Sequence, residues 1–177
     1  MFQISKRQAK IGMQIQNQGE NHGKDKVVCA YRIPIKEVLL TKDDLNELMG
    51  DTYTHHCLFT NANSELLTPR FPQLKPFELK HEFQNGAVTI KYGLENEIQL
   101  TACKINKIIL TPKDGGMCEI SFTVHTVPTL DLKAALLTGQ VGHEVEIEIK
   151  ADLRDENAQK ELPLNTIGEG EQAEQAA

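Results

Sequence analysis

Apolar and polar residues alternate with a period of two over much of the first 150 positions, the pattern of strands that bury one face. In Cys118-Glu119-Ile120-Ser121-Phe122-Thr123-Val124 every even position is apolar and every odd one polar. Val145, Ile147 and Ile149 alternate with Glu144, Glu146, Glu148 and Lys150, a second strand whose acidic outer face resists edge-to-edge pairing. Leu79–Gln84 and Ala87–Tyr92 flank Asn85-Gly86, a dipeptide that suits a tight type I′ hairpin turn. Ile98–Leu110 and Met117–Thr126 flank the longer turn Pro112-Lys113-Asp114-Gly115-Gly116. Phe2–Ile15 and Lys26–Ile35 read as two further strands around a polar loop, Asn17–Asp25. A capping Thr41 and acids at 43 and 44 start a short helix that Gly50 stops, and Pro128–Thr138, ending at Gly139, reads as a second. Asp51–Lys75, with Pro69, Pro72 and Pro76 at its end, reads as an irregular excursion. Six or seven strands with hairpin connections predict a mainly β fold: an antiparallel β-sandwich or a partly open, OB-like barrel with two short helices.

Charge divides the chain. Residues 1–150 carry 17 Lys and Arg against 18 Asp and Glu, whereas residues 151–177 carry 2 against 7. A nearly neutral body can still present a basic face to phosphates. The end of the chain, Gly168–Ala177, has almost nothing to bury, so a single β-rich domain over residues 1–154 and a disordered acidic tail over 155–177 are expected. No run of about 18 apolar residues exists, and the first residues lack an apolar stretch behind Lys6 and Arg7, so neither a membrane span nor a secretory signal is predicted. A cytoplasmic protein is expected. Cys29, Cys57, Cys103 and Cys118 lie in apolar stretches without a Cys-x-x-Cys pair, and read as free, buried small hydrophobes rather than disulfides or zinc ligands.

Candidate chemistry is sparse. No Gly-rich phosphate loop, Gly-x-Ser-x-Gly or zinc-deaminase signature occurs, so no catalytic residue, cofactor or metal is assigned. His55-His56-Cys57 is the most metal-like run; on a strand, His55 and Cys57 would share a face. Binding is better supported. Lys6, Arg7 and Lys10 fall on the first strand, Lys104 and Lys107 on the long strand after Cys103, and Arg70 and Phe71 in the proline-rich excursion. Grooves for single-stranded nucleic acid combine such cations with aromatic faces on which bases stack. Phe83, Tyr92 and Phe122 sit at apolar strand positions, leaving Tyr31, Tyr53, Phe71 and Phe77 as candidate platforms.

The blocks Thr68-Pro69-Arg70-Phe71-Pro72-Gln73-Leu74, Val88-Thr89-Ile90-Lys91-Tyr92-Gly93-Leu94, Lys104-Ile105-Asn106-Lys107 and Thr111-Pro112-Lys113-Asp114-Gly115-Gly116 resemble, in this order, a family of small uncharacterised tailed-phage and prophage proteins encoded near replication or recombination genes. The resemblance covers roughly residues 1–150 and carries no catalytic motif. It implies a phage protein acting in the bacterial cytoplasm. Together with the charge pattern, it sets the leading expectation: a non-enzymatic accessory of DNA metabolism that binds single-stranded DNA or a replication or recombination protein, with the acidic tail competing for the basic groove or engaging a phage or host protein. Two alternatives stand beside it: an inhibitor of a bacterial antiviral system whose acidic strand mimics phosphates, and a small-molecule-binding barrel or enzyme. Exposed strand edges would let copies pair as a homo-oligomer.

Overall fold

Ten strands and three short helices make up the described part of the chain. The computed structural model describes residues 2–12, 16–21, 27–61, 66–126 and 131–153. In order they are β1 (Phe2–Ile11), β2 (Gln16–Asn21), β3 (Val27–Leu40), α1 (Lys42–Met49), α2 (Thr54–Leu58), β4 (Phe59–Thr60), β5 (Thr68–Pro69), β6 (Phe77–Leu79), β7 (Phe83–Tyr92), β8 (Asn96–Lys113), β9 (Met117–Thr126), α3 (Asp131–Gly139) and β10 (Glu144–Leu153). The expected tail, the tip of the Asn17–Asp25 loop and the start of the Pro128 helix lie outside the described residues. No described helix is long and apolar enough to cross a membrane.

Six strands close on themselves in the order β1-β10-β7-β8-β9-β3, every neighbouring pair antiparallel, with β1 returning to β3 through Lys10↔Lys36 and Ile11↔Ile35. This is the OB-like barrel, and closure rules out the sandwich. β2 pairs only with β3 and lies outside the ring, while β6 extends the line of β7 along β8. Inside, the alternation holds as read from the sequence: Ile120, Phe122 and Val124 of β9 and Val145, Ile147 and Ile149 of β10 are buried with Ile33, Ile35, Ile90 and Ile105. Phe2 and Phe83 pack ring on ring, 5.0 Å between centroids.

Bulges bend the strands far enough to close. Lys6, Glu37, Asn85, Ala102 and Lys107 all have positive φ, and register shifts fall beside Lys6, Glu37, Asn85 and Lys107. A left-handed residue in a ladder is the bulge geometry that adds one residue and sharpens the local twist. The extra residue stays outside. Ile35 and Val38 are both buried around exposed Lys36 and Glu37, and Ile105 and Ile108 are both buried around Asn106 and Lys107.

Three sequence expectations change. Asn85-Gly86 is not a hairpin turn. β7 runs straight through it as a bulge, and Gly86 faces Cys103 so closely that a Cβ there would sit 3.0 Å from the Cys103 carbonyl oxygen. The positive φ that suits an Asn-Gly turn equally suits a bulge, and the 18-residue β8 is long enough to pair with β6 and β7 in succession. The turn proper comes later, between Tyr92 and Asn96, with Gly93 at φ 63°. β2 was expected to be loop beyond Ile15; its Gln-Asn-Gln-Gly-Glu-Asn run has no apolar alternation to announce a strand. The excursion contains α2, β4 and β5. The Thr41 helix, by contrast, forms as read, with a capping box between Thr41 and Asp44 and Gly50 closing it at φ 66°.

Ala102 is the bulge residue least suited to its backbone, since a non-glycine left-handed residue carries strain of roughly 1–3 kcal/mol. Ala102→Gly is expected to raise stability by up to about 1 kcal/mol and Ala102→Val to lower it. The shift of the urea midpoint at unchanged slope checks both.

Candidate nucleic-acid interface

Outward-facing side chains of a barrel inherit the order of its strands. β1 and β8 are three strands apart in either direction round the ring, so the basic residues foreseen on them do not share a face. Lys6 is exposed in its bulge beside Glu148. Arg7 donates through Nη2 to Asp44 Oδ2 at 2.6 Å and through Nε at 3.3 Å, tying β1 to α1. Lys10 pairs with Glu37 at 2.7 Å. This side belongs to the acids. Glu146 and Glu148 of β10 flank Lys91 of β7 at 3.9 and 2.7 Å, and the Glu148 carboxyl is held below its ordinary range, chiefly by the Lys91 hydrogen bond.

The opposite side, β3-β9-β8, is built differently. Register places Arg32 of β3, His125 of β9 and Lys104 of β8 in one row across the sheet. Pro34, Thr123 and Asn106 form the next row, and the two bulges carrying Lys36 and Lys107 follow at matching levels on either side of β9. With strands about 4.8 Å apart and about 3.3 Å of rise per residue, the four cations frame a patch of roughly 10 by 13 Å. Its floor is polar: Ser121, Thr123 and His125, with His125 Nε2 donating to Asn106 Oδ1 at 3.0 Å. Arg32, Lys36 and Lys107 have no side-chain hydrogen bond or ion pair among the described residues. Lys104 bonds Glu82 at 2.6 Å, but the lysine is 44% exposed, and a surface pair of that kind contributes at most about 1 kcal/mol, so a phosphate can replace the carboxylate. Glu37 lies beside Lys36 and is turned to Lys10.

Of the sequence candidates, Lys104 and Lys107 belong to this patch. Arg32, Lys36 and His125 join it only through register. Lys6 and Arg7 are elsewhere, and Lys10, the partner of Lys36 across the β1–β3 seam, borders the patch with its ammonium on Glu37. Arg70 and Phe71 lie beyond β5. The Arg70 guanidinium donates to the carbonyls of His56 at 3.2 Å and Phe59 at 3.4 Å, which makes it a fastener of its loop, and Phe71 is 57% exposed. Tyr53 is also exposed, whereas Tyr31 and Phe77 pack partly against the core.

The metal-like run takes another form from the strand that was foreseen. His55-His56-Cys57 is on α2, where residues two apart diverge; His55 is buried and Cys57 exposed. His55 Nε2 bonds the Gly116 carbonyl at 2.8 Å and the ring packs on Phe59 at 4.8 Å, so its polar end is committed to structure. Cys57 thus departs from the expected burial, whereas Cys103 and Cys118 follow it. Burial raises the Cys103 thiol and pushes Cys118 up to about 12, leaving both protonated at neutral pH. No family model matches the chain, and neither a curated protein nor a solved structure does.

Asp44 connects the barrel wall to α1 and titrates accordingly. Burial raises its carboxyl, but hydrogen bonds from Arg7 and from the Thr41 hydroxyl and amide outweigh this and lower it below 3.8. A folded-state value below the unfolded one gives stability that is present above the ordinary carboxylate range and is lost as pH falls through the lowered value. Asp44→Asn is expected to cost about 1–2 kcal/mol at neutral pH. The deficit should shrink on acidification, as read by urea unfolding of both proteins across pH.

Proposed function

We propose that the barrel binds single-stranded DNA across the outer face of β3-β9-β8 and serves, without catalysis of its own, as an accessory of phage DNA metabolism. The observation that carries this reading is the framing of a polar floor by Arg32, Lys36, Lys104 and Lys107, three of them without a partner among the described residues. Unpaired cations at fixed spacing on a β surface favour phosphates through counterion release, and the hydroxyls and imidazole between them suit sugar and phosphate oxygens. A single strand fits this surface better than a duplex. Exposed Ile109, level with Ser121, and Leu39, beside Glu119 in the following row, are apolar ground for unstacked bases next to the patch. The acids of β10 on the far side repel phosphate and so confine binding to one face. The phage setting rests on the sequence resemblance alone.

Arg32→Ala and Lys107→Ala are expected to weaken binding of a labelled single-stranded oligonucleotide roughly tenfold each. Each should also lower the slope of log affinity against log salt by about 0.7. Lys150→Ala, on β10 across the ring from β9, should leave affinity and slope unchanged. Equal effects at Lys150 and Lys107, or salt-independent binding, would refute the reading.

A further inference from the structure

Beyond the patch, β8 continues as one outward-facing track through Ile109 and Thr111 to Lys113, where it meets a cleft of about 270 Å3. Pro69, Pro72 and Pro112 wall the cleft with Phe71 and Leu74, and Lys113 and Asp114 stand at its β8 side. Two large apolar side chains face water here, Phe71 at 57% and Leu74 at 46% exposure, where burial would be worth on the order of 2 kcal/mol for each.

The cleft is held open by a rigid frame. The Arg70 amide donates to the Leu58 carbonyl at 2.7 Å, and the Leu74 amide to that of Phe71 at 2.9 Å. The β8–β9 hairpin tip is fastened to the same loop, by the Gly115 amide on the Leu67 carbonyl at 2.8 Å and by His55 on Gly116. Gly116 has φ 72°, where an L side chain is strained, and a Cβ on it would lie 2.8 Å from Leu67 Cδ1 and 3.2 Å from His55 Nε2, so glycine favours the meeting of tip and loop. The backbone on either side of Phe71 is therefore held, with its ring presented to solvent.

We infer that this cleft is a stacking subsite for one unpaired nucleobase of the strand whose phosphates lie on the β3-β9-β8 patch, with Phe71 as the platform. The inference rests on the nucleic-acid reading above and extends it to the chemistry of the base. Three features favour a base over a folded protein surface. The volume accommodates one ring system and is below that of drug-sized sites. Lys113, whose ammonium pairs with Glu119 at 3.1 Å in an exposed ion pair that a phosphate can replace, places a cation beside the aromatic, where the phosphate attached to a stacked base would lie. Asp114 offers an acceptor to a base-edge N–H, such as the N3–H of thymine, which a polar base edge can use and an apolar peptide side chain cannot.

The test compares the full chain with its Phe71→Ala, Phe71→Trp and Lys107→Ala variants. The probes are an oligothymidylate of about 12 nucleotides and an abasic deoxyribose-phosphate oligomer of equal length. Phe71→Ala is expected to weaken oligothymidylate binding about 5- to 100-fold and to leave abasic binding as in the parent. Because the chain has no tryptophan, Phe71→Trp supplies a single tryptophan, whose emission should be quenched by oligothymidylate and not by the abasic oligomer. Oligothymidylate affinity unchanged in Phe71→Ala with no quenching in Phe71→Trp, while Lys107→Ala still weakens binding, would overturn the stacking subsite and leave the phosphate patch standing. Equal loss on both oligomers in Phe71→Ala would overturn it as well, by showing that the side chain supports the loop and not a base. Failure of the parent chain to bind either oligomer would remove both readings.

Discussion

Closure of six antiparallel strands around a narrow apolar core is the constraint from which the other features follow. Strands in a small barrel must tilt and coil, and an unbroken ladder does not bend enough. Here the bend comes from residues in the left-handed region, and none of the five non-glycine cases lies in a turn. A local energetic cost at each is accepted because the alternative is an open edge and an exposed core. Following the pairs from Phe2 through Ala151, then opposite Gly86, Cys103, Thr126 and Tyr31, the path returns to β1 beyond Ile11 and not at Phe2, the stagger that tilted strands need to close.

The same closure sorts the charges. Because β1 and β8 occupy opposite positions in the ring, cations that are interchangeable in composition acquire different surroundings. Those on β1 meet the carboxylates of Asp44, Glu37 and Glu148, whereas Arg32, Lys36 and Lys107 face the stretch of β9 from Ser121 to His125, whose outward residues are hydroxyls and an imidazole, while Glu119 farther along β9 is taken up by Lys113. A body with almost no net charge thus becomes two-sided. The bulges reinforce this, since each places an additional side chain outside without disturbing inward parity, and at Lys107 that side chain is a corner of the patch.

Much of the fold was legible where local chemistry and burial agree. β9 and β10 show in their alternation, and α1 in its capping threonine, first-turn acids and terminal glycine. Legibility failed where one local signal serves two structures. Asn85-Gly86 favours positive φ whether the chain reverses or bulges, and only the length of β8 decides. It failed again where an element buries little, as in the polar β2, or is only five residues long, as in α2. Half of the patch could be named from sequence, because Lys104 and Lys107 lie together on a recognisable strand. Arg32, Lys36 and His125 are about 20 to 75 positions from them along the chain, and nothing short of the β3-β9-β8 register brings these residues into one frame.

The uninterrupted course of β8 has a consequence for scale. Lys107 and Lys113 lie on one strand, six residues or about 20 Å apart, and the far end of that strand is anchored by the Gly115 and His55 bonds. Whatever spans both therefore meets a ruler and not a hinge. The protein would set the spacing and the partner would adapt to it, so a flexible polymer with a regular repeat is accommodated where a rigid surface of different pitch is not.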